Sequence, residues 1–413
     1  MKKWILICSL TWWTWLTVHA DHRILIPQVK SLQVSVNGLW RNMPVMTLGS
    51  NDRLHVGFDE LSHELHNYTY HIEHCEADWT TSEGIFESDF LEGINHNPIE
   101  HYEKSINTTV EYIHYSLELP NEQCRLTMSG NYRITITDDD FDDERVAIIE
   151  FMVVEPLVPI GLKVSTNTDI DVNASHQQLS IDANINALRV PHLEDQLIVV
   201  ALQNGQWNEA RSGMAPDIRS TQTLAWHHCR DLIFDAGNEY RKFETLSTSH
   251  ATMGIDHMLW DGKHFHAYIV TDEVRKNYLY DQDANGYSLI RNSENYENDY
   301  SSDYVYVHYR LFAPYMDHEQ FMISGHWTNE ATTDDYTMTY NMQEGCYESC
   351  ILQKQGYYSY RYEVLTADGL RLPSPTEGNF YQTENQYEVL IYYKGTGERT
   401  WRLVGYAQTA FHP

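Results

Sequence analysis

The chain is poor in basic residues and in cysteine. Its 413 residues include 28 lysines and arginines against 59 aspartates and glutamates, which gives a formal net charge of −31. Nucleic-acid binding requires basic patches that neutralise phosphates, and attraction to anionic lipid headgroups requires the same charge. Both kinds of partner are therefore disfavoured. Because 42% of the residues are hydrophobic and 13% are aromatic, the composition predicts folded acidic domains and not a disordered acidic tail.

The amino terminus carries the single long apolar run of the sequence. Lys2 and Lys3 precede the apolar stretch 4–18, and Val18-His19-Ala20 resembles a signal-peptidase site. The apolar stretch is shorter than the ~20 residues needed to span a bilayer, and the segment after it is polar. We predict that residues 1–20 are a secretory signal peptide. The remainder is then an exported protein without a direct membrane span.

Cysteine is scarce, and five cysteines would remain after removal of the signal peptide. An odd number leaves at least one thiol unpaired in an oxidising compartment. The five are Cys75, Cys124, Cys229, Cys346 and Cys350; Cys75 and Cys124 lie in one predicted domain and are our first candidate for a disulfide. Cys346 and Cys350 are four residues apart in a strand-rich stretch, roughly 13 Å in an extended strand, which is too far to bridge.

Long helical periodicity is also absent, and the dominant pattern is that of short β-strands. Runs rich in Tyr, Ile, Val and Thr are separated by Asn, Gly, Pro and Asp, which favour turns. This pattern predicts an all-β protein built of tandem β-sandwich domains, immunoglobulin-like or early-set-like. We predict strands at 34–40, 68–74, 112–119, 132–137, 146–154, 161–164, 179–185, 197–203, 232–234, 257–259, 265–270, 303–312, 320–324, 337–342, 350–353, 357–365, 387–393 and 401–406.

Turn-forming and charge-rich segments predict the domain boundaries. Pro156 and Pro159 follow a predicted strand, and segment 271–303 combines acids, tyrosines and an Asn-Gly turn. These two breaks divide the chain after the signal peptide. The predicted domains are an N-terminal β-sandwich at 21–155, a middle β domain at 156–300 and a C-terminal early-set-like β-sandwich at 301–413.

The sequence lacks the common catalytic and nucleotide-binding motifs. It has no Gly-x-Ser-x-Gly elbow, phosphate-binding loop or dinucleotide fingerprint. His63-Glu64-Leu65-His66 departs from the zincin motif because its histidines are three residues apart instead of four. We predict no catalytic residues, no metal site and no enzymatic activity. The alternative is a metallohydrolase assembled from the other histidine clusters, which are His71, His74 and Cys75, and His227, His228 and Cys229.

Residues 281–286 match the first half of a calcium-binding loop. Asp281, Asp283 and Asn285 would supply oxygen ligands at alternate positions. The twelfth position is Asn292, which cannot give a bidentate carboxylate, and no amphipathic helix flanks the loop. We predict no cofactor here, with calcium as a weak alternative to a plain turn between strands.

Several phrases in order along the chain resemble one protein family. They are His74-Cys75-Glu76-Ala77-Asp78-Trp79, Ser105-Ile106-Asn107-Thr108-Thr109, Tyr112-Ile113-His114-Tyr115, Leu119-Pro120-Asn121, Ser129-Gly130-Asn131-Tyr132, Gln203-Asn204, Gly237-Asn238-Glu239-Tyr240-Arg241-Lys242-Phe243, Asp283-Ala284-Asn285-Gly286-Tyr287 and Gln353-Lys354-Gln355-Gly356-Tyr357-Tyr358-Ser359-Tyr360. From about residue 28 to the carboxyl terminus, the chain resembles the plug protein of the bacterial type IX secretion system. Lys242 and Glu244 depart from the expected pattern.

This resemblance implies a function and a partner. It implies a non-enzymatic periplasmic protein, associated with the inner face of the outer membrane, that plugs the periplasmic opening of the outer-membrane translocon barrel. The barrel protein is the implied partner, and the resemblance implies no catalytic residues. The signal peptide and the predicted tandem β domains are compatible with this role.

A plug needs a surface that binds the barrel reversibly, and tyrosines beside acids suit such a surface. Tyrosine offers contact area with a polar tip, and acids can pair with basic residues on the barrel rim. We predict that the Tyr-rich segment binds the partner through Tyr278, Tyr280, Tyr287, Tyr296 and Tyr300. The alternative is that this segment is a solvated loop between domains.

Carbohydrate binding is the alternative function. The last domain is similar to early-set, starch-binding-like sandwiches, in which an exposed Trp stacks on a sugar ring. Trp327 and Trp401 would be the stacking residues of a carbohydrate-binding periplasmic or surface protein. Both would otherwise be ordinary core residues.

Overall fold

The computed structural model describes residues 22–141, 143–317, 319–328, 333–367 and 369–413, and the predicted signal peptide lies outside these ranges. The predicted all-β class of tandem β-sandwiches is confirmed. The helices of the described ranges are single turns: α1 (Glu87–Phe90), α2 (Leu193–Gln196), α3 (Asn298–Ser301) and the 3₁₀ turns Trp207–Glu209, Arg230–Leu232 and Thr333–Tyr336. None of the helices in these ranges is long and apolar enough to span a bilayer.

The first lobe, residues 22–155, is a β-sandwich. Its strands are β1 (Arg23–Ile24), β2 (Val29–Val36), β3 (Val45–Thr47), β4 (Leu54–Glu60), β5 (Tyr68–Cys75), β6 (Leu91–Gly93), β7 (Asn97–Pro98), β8 (His101–Lys104), β9 (Ile113–Leu119), β10 (Cys124–Leu126), β11 (Gly130–Asp138) and β12 (Glu144–Val154). One sheet has the order β1-β12-β11-β5-β7 and the other β2-β4-β9-β8. Alternation along β11 turns Tyr132, Ile134 and Ile136 into the core between them.

The middle lobe follows the first and begins with an antiparallel sheet of its own. Its first strands are β13 (Ile160–Ser165), β14 (His176–Asn184), β15 (Leu197–Gln203), β16 (Arg211–Ser212), β17 (Ile218–Arg219), β18 (Thr223–Trp226) and β19 (Ile233–Asp235). Strands β13-β14-β18-β17 form one sheet, and β19 also pairs with β14. Strand β15 belongs to a different sheet, which the chain completes only near its carboxyl end.

The third lobe, residues 237–384, is a sandwich of two further sheets. Its strands are β20 (Arg241–Glu244), β21 (Ile255–Trp260), β22 (Phe265–Ile269), β23 (Asp272–Glu273), β24 (Ser288–Ile290), β25 (Tyr304–Phe312), β26 (Gln320–Ser324), β27 (Thr339–Asn341), β28 (Cys346–Lys354), β29 (Gly356–Leu365) and β30 (Arg371–Pro373). The order of one sheet is β21-β22-β25-β28-β27, and β29 organises the other. Phe243, Tyr309 and Tyr360 pack between the sheets.

The last two strands, β31 (Gln386–Tyr393) and β32 (Arg402–Ala410), return to the middle lobe. They complete the sheet β16-β15-β31-β32, so the middle lobe consists of residues 156–236 and 385–413, with the third lobe inserted between. The predicted boundary between 300 and 301 is therefore wrong, and 301–413 is not one sandwich. Strand patterns predict where strands lie, but the pairing of β15 with a strand so distant in sequence depends on tertiary packing.

The β15-β31-β32 sheet is buried on both faces. Val199 and Val389 point into the core of the middle lobe, whereas Val200 and Leu390 point towards the first lobe. That second face packs against the first lobe and forms an interlobe core. The sequences of such strands are nearly continuous runs of apolar residues because neither face of the sheet is exposed to water.

Candidate functional site

An aromatic cleft lies where the three lobes meet, and its cavity volume is about 380 Å³. Each lobe contributes a short segment to the wall. The aromatic residues of the lining are Trp40 and Trp79 from the first lobe, Trp207 from the middle lobe, and Tyr287, His326 and Trp327 from the third lobe. The cleft is therefore a product of the lobe arrangement and belongs to no single domain.

Gly205 is the contact point of the three lobes at the edge of this cleft. Its φ of +66° is in the left-handed region that favours glycine. A Cβ on Gly205 would lie 3.0 Å from Tyr287 Oη, 3.3 Å from His326 Cε1 and 3.4 Å from Met43 Cγ. A side chain at this position would thus push the lobes apart.

His326 ties the third lobe to the middle lobe. Its Nε2 donates a hydrogen bond of 2.8 Å to the carbonyl oxygen of Asn204. Its ring stacks on Tyr287 with the centroids 4.0 Å apart. Burial lowers the pKa of His326 to about 4, so the imidazole is neutral at physiological pH.

Two polar groups at the cleft are not fully used by the fold. The indole N–H of the buried Trp79 has no hydrogen-bond partner among the described residues. Glu388 accepts a bond from the Gly205 amide at 3.1 Å through Oε2, and its buried Oε1 also has no partner there. Burial raises the pKa of Glu388 to about 7. Trp79 lines the cleft, whereas Glu388 lies behind Gly205 and outside the lining.

A buried ion pair joins the first and third lobes, and we call its members the lysine seam: Asp59, His114, Tyr304 and Lys354. Lys354 Nζ and Tyr304 Oη each donate to Asp59 Oδ2 at 2.6 Å. His114 Nδ1 lies 2.7 Å from Asp59 Oδ1. Asp59 and Lys354 are both 0% exposed. The seam therefore links β4 and β9 of the first lobe to β25 and β28 of the third lobe through buried side chains.

The protonation states of the seam follow from burial and charge. Burial opposes ionisation of Asp59, but the Lys354 ammonium and the His114 hydrogen bond outweigh it, and the pKa of Asp59 lies below its usual range. Burial lowers the pKa of Lys354, and the attraction of Asp59 opposes this. The Lys354 ammonium also lies 4.1 Å from the centroid of the Tyr112 ring.

Of the five tyrosines predicted to bind a partner, three make contacts within the protein, Tyr278 and Tyr287 through their side chains and Tyr300 through its backbone. Tyr278 Oη donates to Glu239 Oε1 at 2.7 Å. Tyr287 is the half-buried ring stacked on His326 in the cleft. Tyr300 accepts a backbone hydrogen bond of 2.8 Å from the first lobe. The side chains of Tyr278 and Tyr287 are thus engaged within the fold, and partner binding by these three tyrosines stays a prediction.

The other two tyrosines are open to solvent. Tyr280 is 52% exposed and Tyr296 is 67% exposed. Leu279, beside Tyr280, is 80% exposed. Partner binding by this segment stays a prediction, now centred on these exposed side chains.

The comparisons with known proteins identify the family. The crystal structure of a hypothetical protein from Parabacteroides merdae ATCC 43184 matches with a TM-score of 0.91 and 33% identity, covering 95% of this chain and 100% of that chain. The profile of the type 9 secretion system plug protein 1st domain matches residues 29–155. The chain belongs to the type IX secretion system plug protein family. The family gives it a plug role in type IX secretion, an association with the secretion machinery, and a periplasmic or outer-membrane-associated location.

Two further comparisons add no functional information. Trypsin-activated alpha-2-macroglobulin from Escherichia coli aligns at 7% identity with a TM-score of 0.17, covering 92% of this chain and 28% of that chain. The search of curated proteins gave no match.

The tryptophans proposed for sugar stacking are both half-buried and pack against cores of this plug-family protein, and Trp327 also lines the aromatic cleft. Trp327 packs edge-on against Tyr336 and Tyr358, and its Nε1 donates to the carbonyl oxygen of Ser359 at 2.8 Å. Trp401 is half-buried against the interlobe core. Neither environment favours the carbohydrate alternative over the plug role.

The histidine clusters of the sequence form hydrogen bonds with neighbouring polar groups. His74 is buried between Ser82 Oγ at 2.9 Å and the Ser129 carbonyl oxygen at 3.2 Å. His227 and His228 bond to different aspartates, at 2.9 Å and 3.1 Å. These partners account for the positions of the histidines without a metal ion.

A different group comes closer to metal-ligand geometry. The ligand atoms of His66, Asp138 and Asp140 lie within 4.8 Å of one another. His66 Nδ1 is 2.7 Å from Asp138 Oδ2, and Asp140 Oδ2 accepts the amide of Asn67 at 2.9 Å. His63, its neighbour in the zincin-like phrase, instead lies 3.4 Å from Glu111 Oε2. The zincin-like pair is thus split, because both histidines lie in the loop between β4 and β5 and contact different carboxylates.

The calcium-like loop already holds a cationic side chain. Lys242 Nζ donates to Asp281 Oδ1 at 2.5 Å and to the carbonyl oxygen of Gln282 at 2.6 Å. Asp283 accepts the backbone amides of Tyr240 and Asn285, and burial raises its pKa to about 7. The weak calcium possibility at this loop stays a prediction, and the Lys242 ammonium competes with it.

The disulfide proposed between Cys75 and Cys124 is wrong, because both thiols are free. Cys75 belongs to the interlobe core, whereas Cys124 belongs to the core of the first lobe. Tyr70 and Ile72 of β5 point into that first core, and Cys75, an odd number of residues away, points to the opposite face. Cys229, Cys346 and Cys350 are free as well.

Sequence reasoning missed the cleft and the lysine seam. Trp40, Trp79 and Trp207 are far apart in the chain, and no local pattern predicts that they share a wall. Lys354 did offer a signal, because it directly follows the predicted strand 350–353 and falls within one of the phrases shared with the plug family. Its position in β28 opposite Tyr304 became visible only from the strand pairing.

Proposed function

We propose that this protein closes the periplasmic opening of the outer-membrane translocon as one rigid body of three lobes. The observation that carries the proposal is the locking of the three lobes by buried contacts in a chain of the plug family. A plug must resist the passage of periplasmic solutes, and lobes that hinge freely would leave gaps. Interfaces between domains that are large and apolar suppress such hinge motions.

Two contacts supply this rigidity. The interlobe core fixes the first lobe to the middle lobe, and Tyr392 Oη in it donates to Asn131 Oδ1 across the boundary at 2.9 Å. The lysine seam fixes the first lobe to the third lobe. Each lobe is therefore held by at least one contact that excludes water.

The charge of the chain supports reversible binding. A formal net charge of −31 favours encounter with a basic rim through electrostatic steering, and such contacts weaken with salt. An interface of about 1,200–2,000 Å² would be specific and still releasable. We propose that Leu279, Tyr280 and Tyr296 take part in this interface, because their side chains are exposed and can contact a partner.

The test is affinity purification of the full-length protein from its native cell envelope, with identification of the recovered partners by mass spectrometry. The proposal expects an outer-membrane barrel protein in the eluate. Recovery without any outer-membrane barrel would overturn it.

The contact surface is tested with a Tyr280→Ala, Tyr296→Ala double variant. Recovery of the barrel should fall severalfold, while the thermal unfolding temperature stays unchanged because both side chains are exposed. A Val172→Ala variant is the matched control, since Val172 is 65% exposed on the middle lobe. Undiminished recovery with the tyrosine variant would remove this segment from the interface and leave the plug role intact.

A further inference from the structure

One end of the first lobe brings an imidazole and carboxylates together from two distant segments. His66 lies in the loop between β4 and β5, Asp138 ends β11, and Asp140 follows it. Their ligand atoms lie within 4.8 Å of one another, and no other such group of His, Cys, Asp or Glu meets this spacing in the described ranges. Two ligands on one ion, with bonds of roughly 2.0–2.2 Å, are at most about 4.4 Å apart. Small side-chain movements would therefore let all three contact one cation.

This group carries more negative charge than the neighbouring side chains compensate. Asp138 is 3% exposed, and Glu60, the last residue of β4, is 1% exposed. Glu60 accepts two hydrogen bonds of 2.8 Å from Ser62, through its amide and its hydroxyl. Among the ion pairs of the described residues, Asp138 pairs with His66, and no lysine or arginine pairs with Glu60, Asp138 or Asp140. Buried carboxylates normally have a cationic partner or coordinate a metal, so the group favours a bound cation.

The imidazole of His66 is held in place on both sides. Its Nε2 lies 3.4 Å from Ser62 Oγ, which donates to Glu60 Oε2 at 2.8 Å. Its ring stacks on Tyr68 with the centroids 5.6 Å apart. These contacts direct Nδ1 towards Asp138, 2.7 Å from Oδ2. A hydrogen bond at the other ring nitrogen is the usual way in which a metal-binding histidine is oriented.

The hydroxyl of Tyr68 is an independent sign of a ligand at this position. Tyr68 is 1% exposed, and its Oη has no hydrogen-bond partner among the described residues. Tyr68 and Asp138 pair across β5 and β11, so their side chains lie on the same face of the sheet. The carboxylates that act electrostatically on this hydroxyl are those of Glu60, Asp138 and Asp140. A buried hydroxyl without a partner is costly, and a water bound to a cation among these carboxylates would give it one.

We propose that His66, Asp138 and Asp140 bind one divalent transition-metal ion, with water completing its coordination. One imidazole and two carboxylates match the ligands preferred by Zn²⁺ and Mn²⁺. Calcium is disfavoured because it takes about six to eight oxygen ligands. Asp140 is exposed, so an ion can reach the site from solvent. The bound ion would join the β4–β5 loop to the end of β11 and offset the charge of the buried carboxylates.

The experiment titrates the purified full-length protein with Zn²⁺ by calorimetry and with Mn²⁺ by electron paramagnetic resonance, both at physiological salt. Salt screens the weak attraction of cations to the acidic surface and leaves binding at a built site. The wild type should bind one ion much more tightly than any other. Pulsed measurements on bound Mn²⁺ should detect coupling to an imidazole nitrogen, because His66 is a ligand.

Two ligand variants test the assignment. Asp140→Asn should weaken binding of both ions by roughly tenfold or more, at least the effect of losing an outer partner of a ligand. It should not unfold the protein, because Asp140 is exposed. His66→Gln should remove the nitrogen coupling. If His66→Gln does not fold, the comparison with Asp140→Asn still decides the matter.

Asp139→Asn is the matched control. It removes the same charge from the same turn, but Asp139 Oδ1 accepts from Thr69 Oγ1 at 2.8 Å and is not in the ligand group. Its affinity for Zn²⁺ and Mn²⁺ should equal that of the wild type. Equal weakening in Asp139→Asn and Asp140→Asn would show diffuse attraction to acids and overturn the proposal. Wild-type binding no tighter than about 1 mM, or bound Mn²⁺ without nitrogen coupling, would overturn it as well.

Discussion

Replacement of Lys354 by methionine is the most informative test of the interlobe structure. Methionine retains most of the apolar stem but removes the ammonium 2.6 Å from Asp59 Oδ2. Asp59 is 0% exposed, so its charge cannot be rehydrated in place. Breaking a buried ion pair on one side typically costs about 3–5 kcal/mol because it leaves an uncompensated charge.

The contacts of Asp59 restrict the expected loss of stability in Lys354→Met further. Protonation of an aspartate of ordinary pKa 3.9 at pH 7 costs about 4 kcal/mol, which sets the scale of neutralising Asp59. His114 Nδ1 and Tyr304 Oη remain as hydrogen-bond partners and offset part of the loss. We therefore expect Lys354→Met to destabilise the seam by about 3 kcal/mol. The double variant Asp59→Asn, Lys354→Met has no buried charge to compensate and should recover at least ~1 kcal/mol of that loss.

Hydrogen exchange measured by mass spectrometry suits a protein of several lobes, for which one global unfolding free energy is not defined. The opening free energy of amides in β4 and β28 should fall in Lys354→Met, while amides in β18 of the middle lobe keep theirs. If the opening free energy in β4 and β28 decreased by less than about 1 kcal/mol, the reasoning would be refuted. A double variant as unstable as the single one would refute it too.

Three further predictions concern the cleft and the turn loop. Burial raises the folded-state pKa of Glu388 from 4.5 to about 7, so the stability that the protonated carboxyl contributes below pH 4.5 is lost as the pH rises towards 7 and above. The unfolding free energy of Glu388→Gln, measured with urea at pH 8, should therefore exceed that of the wild type by up to ~3 kcal/mol. A variant of the exposed Glu118 should show no such increase. Gly205→Ala should lower the unfolding free energy by about 2 kcal/mol and Gly213→Ala by about 1 kcal/mol. Both glycines have positive φ, but only Gly213 has open space around its Cβ position. Equal losses of unfolding free energy in the two variants would contradict close lobe contact at Gly205. Because Lys242 occupies the carboxylate of Asp281, millimolar calcium should leave the unfolding temperature unchanged, and a clear rise in a calorimetric scan would favour the calcium alternative.

Local sequence patterns predicted many strands well. The predicted strands 197–203 and 320–324 coincide with β15 and β26. Both are apolar runs bounded by polar or turn-forming residues, and such runs indicate buried strands. The family, too, was evident from residues alone, since the shared phrases run along most of the chain.

Strand β4 shows where local reasoning stops. Its sequence, Leu-His-Val-Gly-Phe-Asp-Glu, contains a glycine and two acids, which are poor strand formers. Asp59 and Glu60 are nevertheless buried. The partners that make this possible for Asp59 are His114 on β9 and Lys354 on β28, both remote in sequence. A strand pattern cannot predict a compensating charge that another lobe supplies.

The sequence by itself determined the fold class, the position of most strands, the acidic character and the family. Only the tertiary structure decided that the last two strands close the middle lobe, that three distant segments form the aromatic cleft, and that Asp138 and Asp140 lie close to His66. The physical reason is that side-chain alternation is a local property of a strand. The choice of pairing partner is set instead by the burial of whole faces and the compensation of charges between distant segments.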